Sequence, residues 1–346
     1  MTQPPSVPSP SRPDFAEAIG RIAPDLALVE HAMREQLGSV SDLVASVGDH
    51  VLNSGGKRMR PALLLLAAEL CGYSGPRAIQ ISAAIELLHT ATLLHDDVVD
   101  ISSLRRGKPS ANAVWGNRRA VLSGDFYYAR ASSMIVEDGN VDILWIFANA
   151  IRSMSEGELL QLERSYDTAV TEALYYSVIE RKSAVLLATA TESGAILADV
   201  TRAERRKLAD YGRELGLAFQ LRDDALDYEA GEAELGKRPY TDIREGKVTL
   251  PLLLALKRCS GSEREMLSSV LKSAAHRNEF DGEPEREPLD VSPAVELIDR
   301  YHGVDDTVRR AQQHAQRAIA AIAAFPDSRA KSDLLAAAEY CVSRDR

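Results

Sequence analysis

The chain has 346 residues, 45% of them hydrophobic, and a formal net charge of −10 at pH 7. This is enough apolar material for one large core or two smaller ones, and the acidic balance speaks against nucleic acid as a partner. An aromatic content of 5% is low for a β-sandwich, and no apolar run reaches the ~18 residues of a membrane span.

In chain order, residues 1–13 (MTQPPSVPSPSRP) lack the apolar centre of a signal peptide and read as a disordered tail. From Phe15 onward the chain is rich in Ala, Leu, Glu and Arg, with apolar residues three and four apart. That period predicts an all-α protein of many helices. Pro61 follows Gly55-Gly56 and opens an apolar stretch ending near Gly72, as proline in a first turn and glycine past a last turn do. Residues 77–100 form a second long apolar helix, and 143–166, 171–198 and 202–230 read as three more. The stretch 275–291 is acidic, carries two prolines and reads as a loop or mobile insertion. No fixed repeat and no linker interrupt the chain, so residues 14–346 are expected to form one domain. Cys71, Cys259 and Cys341 match neither a metal spacing nor a disulfide framework, which suits a reducing cytoplasm. Ser343, not a cysteine, stands fourth from the end, so Cys341 is no prenylation signal.

Two aspartate clusters stand out. The first is Asp96-Asp97-Val98-Val99-Asp100 after Leu93-Leu94-His95; the second is Asp223-Asp224-Ala225-Leu226-Asp227 after Phe219-Gln220-Leu221-Arg222. At about 100° per residue, carboxylates at i and i+4 share a helix face, with i+1 beside them. Like charges at that spacing repel, and burial adds to the cost. A hard cation removes both problems, and all-oxygen carboxylate sites favour Mg²⁺, which typically adds waters and substrate phosphates to one or two carboxylates. No His/Cys set accompanies them, which argues against zinc. Two facing clusters would hold a group of Mg²⁺ ions around a diphosphate.

Basic residues accompany both clusters. Gly55-Gly56-Lys57-Arg58-Met59-Arg60 precedes a helix start, where glycines admit an anion close to the backbone. It lacks the nucleotide P-loop pattern. Arg105-Arg106-Gly107 follows the first cluster, Lys182 lies mid-helix after Arg181, and Lys237 and Lys247 follow the second cluster, each after a glycine.

With these residues assembled, the chain resembles the trans-prenyltransferase (polyprenyl diphosphate synthase) family over roughly residues 20–346. Both aspartate motifs, Gly55-Gly56-Lys57-Arg58, Arg105-Arg106-Gly107, Lys182-Ser183 and Gly246-Lys247 match family motifs in the family's order. The stretch His89-Thr90-Ala91-Thr92-Leu93-Leu94-His95 is most similar to the long-chain branch, which makes quinone side chains. The resemblance implies an isoprenoid-synthase-type helical bundle around a deep cavity, usually a homodimer. It implies Mg²⁺ contacts from Asp96, Asp100 and Asp223, with Asp97, Asp224 and Asp227 acting through water or in support. It implies an allylic diphosphate held by Mg²⁺ with Arg105, Lys182, Lys237 and Lys247, and counts Ser183 among the substrate-binding residues. Isopentenyl diphosphate would lie by Gly56, Lys57, Arg60, His89 and Arg106, with Gln220 between the two substrates.

The implied reaction ionises the allylic C–O bond, and the double bond of isopentenyl diphosphate attacks the cation. Metal and basic side chains stabilise the leaving diphosphate, and an apolar cavity excludes water. Terpene cyclases differ in their second metal motif, and head-to-head synthases use DxxxD spacing. A regulatory subunit of a heteromeric synthase would tend to lose a cluster, whereas this chain keeps both. Chain length should depend on Ala91, Thr92 and, a turn deeper, Leu88; small residues at 91 and 92 leave no shallow floor, and Ala84 continues the opening. A tunnel open past helical turns of about 5.4 Å each, with the long-chain resemblance, implies a product of roughly eight to ten isoprene units (about C40–C50). The alternative is a farnesyl or geranylgeranyl diphosphate synthase.

Overall fold

Segments with apolar residues three and four apart fold as helices throughout the computed structural model of the chain. It describes residues 14–38, 41–53, 55, 58–229, 240–279 and 289–344. The expected N-terminal tail, Gly56, Lys57 and Lys237 lie outside the described residues.

The helices are α1 (Phe15–Arg21), α2 (Ala23–Leu37), α3 (Asp42–Leu52), α4 (Met59–Leu70), α5 (Pro76–Val99), α6 (Ala111–Trp115), α7 (Asn117–Asp138), α8 (Val141–Glu163) and α9 (Glu172–Ile179). After a π-helical turn (Glu180–Ala184) come α10 (Val185–Leu197), α11 (Arg202–Glu229), α12 (Thr241–Arg244), α13 (Leu250–Arg258), α14 (Gly261–Glu279), α15 (Ser292–Arg300), α16 (Gly303–Ala321) and α17 (Arg329–Ser343). The fold is all-α. Its one sheet among the described residues is a short antiparallel hairpin of β1 (Leu104–Arg105) and β2 (Lys108–Pro109).

Local chemistry explains many helix ends. Ser41 caps α3 by accepting from the Val44 amide at 3.3 Å, Thr171 caps α9 through the Leu174 amide at 3.2 Å, and Pro76 opens α5. Gly139, with φ +76°, ends α7 in the left-handed conformation that glycine adopts without strain.

Two expectations are corrected. The segment 171–198 is not one regular helix, because the π turn interrupts it and carries Lys182 and Ser183. The segment 275–291 begins as helix, since α14 runs to Glu279; residues 280–288 lie outside the described set. Its acidic, proline-bearing composition starts only after Arg277, so the helical pattern of α14 carries past the position where the loop was expected.

The buried apolar residues form two clusters. The larger gathers α1–α8, α10 and α17; the smaller gathers α9 and α12–α15; α11 and α16 contribute to both. α11 belongs to both, through Leu208, Tyr211 and Leu215 on one side and Leu217 and Leu221 on the other. It packs along α10 and α16, α10 packs on α4, and α5 packs against α4 and α7. This ring of helices encloses a cavity with one aspartate motif on each of two walls, α5 and α11.

Candidate active site

α5 is apolar on nearly every face and ends in the first aspartate motif. Asp97 turns inward, 3% exposed, and Arg105 from the hairpin grips it with Nε at 2.8 Å and Nη2 at 2.7 Å. Asp100 follows the last turn and takes Lys247 Nζ at 3.2 Å, while Glu245 holds the same ammonium at 2.7 Å. Although burial alone would lower the Lys247 pKa, Glu245, Asp100 and Asp242 raise it. Asp96 lines the main cavity and makes no side-chain hydrogen bond or ion pair among the described residues. Burial pushes its carboxyl up to about 6; Glu158 and Asp100 add to the rise and Lys182 opposes it.

In the second motif, Asp223 lines the same cavity and accepts from Arg344 Nη2 at 2.5 Å. Asp224 is buried and accepts from Tyr175 Oη at 2.5 Å and Gln220 Nε2 at 2.8 Å. Burial raises its pKa to about 6 against the pull of those two donors. Asp227 is also buried and accepts the Asp242 amide at 2.9 Å, tying α11 to the chain that re-enters at α12. So of the six motif aspartates, Asp96 and Asp223 line the cavity, Asp100 stands at Lys247, and Asp97, Asp224 and Asp227 are engaged within the protein.

The main cavity measures about 770 Å³. Arg60, His89 and Arg106 line one part of it, and Lys182, Ser183 and Gln220 another. Arg106 sits at φ +51°, with Gly107 at +74°, in the tight hairpin turn. Arg60 is half-buried, with its Nε fully enclosed and unpartnered; that enclosure lowers its pKa, offset by Glu86. Burial, followed by Arg60, Arg105 and Arg106, holds His89 well below its ordinary pKa, so it is neutral at pH 7. Lys182 Nζ lies 2.5 Å from Glu158 and 3.1 Å from Gln161 Oε1. A smaller neighbouring cavity of about 220 Å³ shares Lys182, Ser183 and Gln220 and includes Lys247. Arg105 is committed to Asp97 and lines neither cavity. Leu88 and Ala91 from α5, Ile151 and Met154 from α8, and Leu186 and Leu187 from α10 give the wall its apolar part, while Thr92, His95, Asp125, Tyr128, Ser155 and Glu158 add polar groups to it. Ala84 is fully buried in packing and does not line the cavity.

Among the described residues no three His, Cys, Asp or Glu side chains converge to hold a metal by themselves. The donor set nonetheless suits Mg²⁺, because a partnerless carboxylate at Asp96 faces Asp223 across a cavity with room for phosphate and water to supply the other ligands. With arginines and a lysine lining the same cavity as Leu88, Ala91, Ile151, Met154, Leu186 and Leu187, it offers both cationic and hydrocarbon surface to an amphipathic molecule with an anionic head and an apolar tail.

Sequence reasoning did not identify Glu158, Gln161, Tyr175 or Arg344. The Gly157-Glu158 step, a glycine and a carboxylate inside an apolar helix, was a usable signal for the first two. Arg344 and Tyr175 carry no local signal, since their partners Asp223 and Asp224 lie 121 and 49 residues away.

A family model described as polyprenyl synthetase matches residues 41–281. The chain is 41% identical over 324 residues to the octaprenyl diphosphate synthase of Escherichia coli, covering 94% of this chain and 97% of that one. It is 38% identical over 317 residues to the all-trans-nonaprenyl-diphosphate synthase of Rhodobacter capsulatus, covering 91% and 94%. Its fold is similar to the crystal structure of a Caulobacter crescentus polyprenyl synthase complexed with calcium and isoprenyl diphosphate, with a TM-score of 0.89, 39% identity and coverage of 98% of this chain and all of that one.

Proposed function

The chain belongs to the polyprenyl synthetase family, and from that premise we propose how its cavity makes a long-chain all-trans polyprenyl diphosphate. It is a prenyltransferase, and its relatives include octaprenyl and nonaprenyl synthases. The observation that carries the reading is the cavity, which brings Asp96, Asp223, Arg60, Arg106 and Lys182 together with apolar side chains and has small Ala91 and Thr92 on the α5 wall.

The allylic diphosphate lies between Asp96 and Asp223, with Lys182, Ser183 and Lys247 beside it; Arg105 acts by fixing Asp97, and Lys237 belongs to the same set. Isopentenyl diphosphate lies by Arg60, His89 and Arg106, and Gly56 and Lys57, which precede Arg60 in the sequence, belong to the same set. Asp96, Asp100 and Asp223 would hold Mg²⁺, whose charge stabilises the leaving diphosphate when bound; the calcium in the Caulobacter neighbour supports a divalent cation here. The allylic C–O bond breaks and its electron pair leaves with the diphosphate, towards Lys182 and Lys247. The double bond of isopentenyl diphosphate forms the new C–C bond with the cation, and the proton then lost goes to the departed diphosphate. Leu186, Leu187 and Met154 keep water from the cation. The lengthening chain passes along Thr92, Ala91 and Leu88.

We further propose a cytoplasmic homodimer whose product serves as a quinone side chain. Exposed Leu122 and Val136 on α7, and Val141, Trp145, Leu159 and Leu162 on α8, support the dimer. No helix among the described residues is long and apolar enough to cross a membrane.

Incubation of the purified chain with labelled isopentenyl diphosphate, an allylic primer and Mg²⁺ tests the reading. Products of octaprenyl to decaprenyl length, abolished by EDTA, are expected. Termination at farnesyl or geranylgeranyl diphosphate would refute the length, and incorporation only with a partner chain would point to a regulatory subunit.

A further inference from the structure

We propose that Tyr175 is a positioning residue for the prenyl transfer, acting through Asp224 to fix the direction in which the Gln220 amide faces the main cavity. The inference rests on the reaction proposed above. Tyr175 is 5% exposed on α9, lines only the smaller cavity, and does not reach the substrate space. Its hydroxyl begins a continuous hydrogen-bonded chain across three elements. Tyr175 Oη donates to Asp224 Oδ2 at 2.5 Å, Gln220 Nε2 donates to Asp224 Oδ1 at 2.8 Å, and Ser183 Oγ donates to Gln220 Oε1 at 2.6 Å.

The donor inventory allows one arrangement. An ionised carboxylate only accepts, so the amide nitrogen of Gln220 must face Asp224 and its carbonyl must face Ser183. Gln220 and Ser183 both line the main cavity. The negative end of the amide dipole is therefore turned towards the wall where the allylic cation develops, as fixed dipoles are in preorganised sites. Asp224 is 4% exposed and needs a donor for each oxygen. Gln220 supplies one and Tyr175 the other. Without the Tyr175 hydroxyl, Asp224 Oδ2 is left buried and unpaired, the carboxylate can turn to other donors, and the amide loses the support that fixes its direction. A reversed amide would present N–H to the cation. The cost falls on the chemical step, because Lys182, Lys247 and the basic residues assigned to isopentenyl diphosphate are outside this hydrogen-bonded chain, and Ser183 at its far end keeps its own place on the π turn.

The test is steady-state kinetics of Tyr175→Phe in the full-length chain, expressed per folded molecule from its circular dichroism. The expected result is a fall in kcat of about 10- to 100-fold, the scale of losing an outer-shell partner, with unchanged KM for both diphosphates and unchanged Mg²⁺ half-saturation. In a Gln220→Ala background the same substitution should cost almost nothing more, since the two residues act as one unit. Wild-type kcat in Tyr175→Phe, an equal loss in both backgrounds, or a loss expressed as higher KM or Mg²⁺ demand overturns the proposal. A wild-type chain without prenyl transfer in the same assay overturns instead the reading on which it rests.

Discussion

Asp96 shows how a site residue can be costly to the fold that carries it. Burial raises its carboxyl to about 6, with Glu158 and Asp100 adding to the rise. A carboxyl raised above its unfolded value favours the protonated form when folded. The stability it contributes is present below the ordinary range near 3.8 and is lost as pH rises through about 6. At pH 7.5 without divalent cation, Asp96→Asn should therefore raise the melting temperature, read by calorimetry. The same substitution should cut turnover by about 10²- to 10³-fold, the scale of losing one preorganised charge-stabilising group. A variant that is both less stable and fully active would show that the carboxylate has no such role. The aspartate motifs were legible from spacing alone, because i, i+1 and i+4 carboxylates in apolar helices are a local pattern. The state of each aspartate was not, since Arg105, Lys247, Arg344 and Tyr175 decide it from other elements.

Among the elements, the π turn at Glu180–Ala184 places Lys182 and Ser183, and the helices around it make room for its width. A Cβ at Gly157 on α8 would stand 2.9 Å from Arg181 Cβ and 3.0 Å from the Lys182 amide nitrogen. One at Gly216 on α11 would stand 2.5 Å from Ala184 Cα. Gly216→Ala should thus displace the turn, destabilise the protein by about 1–3 kcal/mol and lower turnover. Gly20→Ala, with nothing within 4 Å of the added methyl, is the control and should leave both unchanged or improve stability slightly. Thermal melts and kcat of the pair separate a specific clash from a general glycine effect. On α5, Ala91 lies against the cavity beside Thr92. Ala91→Phe adds bulk to the wall without touching the aspartates, so chromatography should show a sharply shorter product with the first condensation intact. An unchanged product distribution would mean that length is set elsewhere.

For the whole molecule, an acidic surface keeps copies apart except where apolar side chains are exposed together. On α8, Trp145 and Ala148, and three turns further on Leu159 and Leu162, lie on one side of the helix as two apolar pairs separated by Arg152, Ser155 and Glu156, and Trp145 is 67% exposed. A second copy meeting this side across a two-fold axis would bury it. Light scattering on Trp145→Asp should show monomer where the wild-type chain shows dimer, with the fold retained by circular dichroism. A wild-type monomer, or a dimer indifferent to Trp145→Asp, counts against this face.

The sequence by itself determined the helical class, the two carboxylate motifs, the basic partners and the resemblance that carries the reaction. These depend on periodicity and spacing, which adjacent residues express without reference to the fold. Tertiary structure decided the rest. It turned Asp96 and Asp223 to the cavity while committing Asp97 to Arg105 and Asp224 to Tyr175. It widened 171–198 into a π turn between Gly157 and Gly216, and it brought Arg344 back over Asp223 from the far end of the chain. The physical reason is that burial and pairing set a carboxylate's charge and direction, and both depend on residues outside the motif's own helix that range from 8 positions away (Arg105 at Asp97) to 147 (Lys247 at Asp100), brought in by turns and helix packing that the motif itself does not encode.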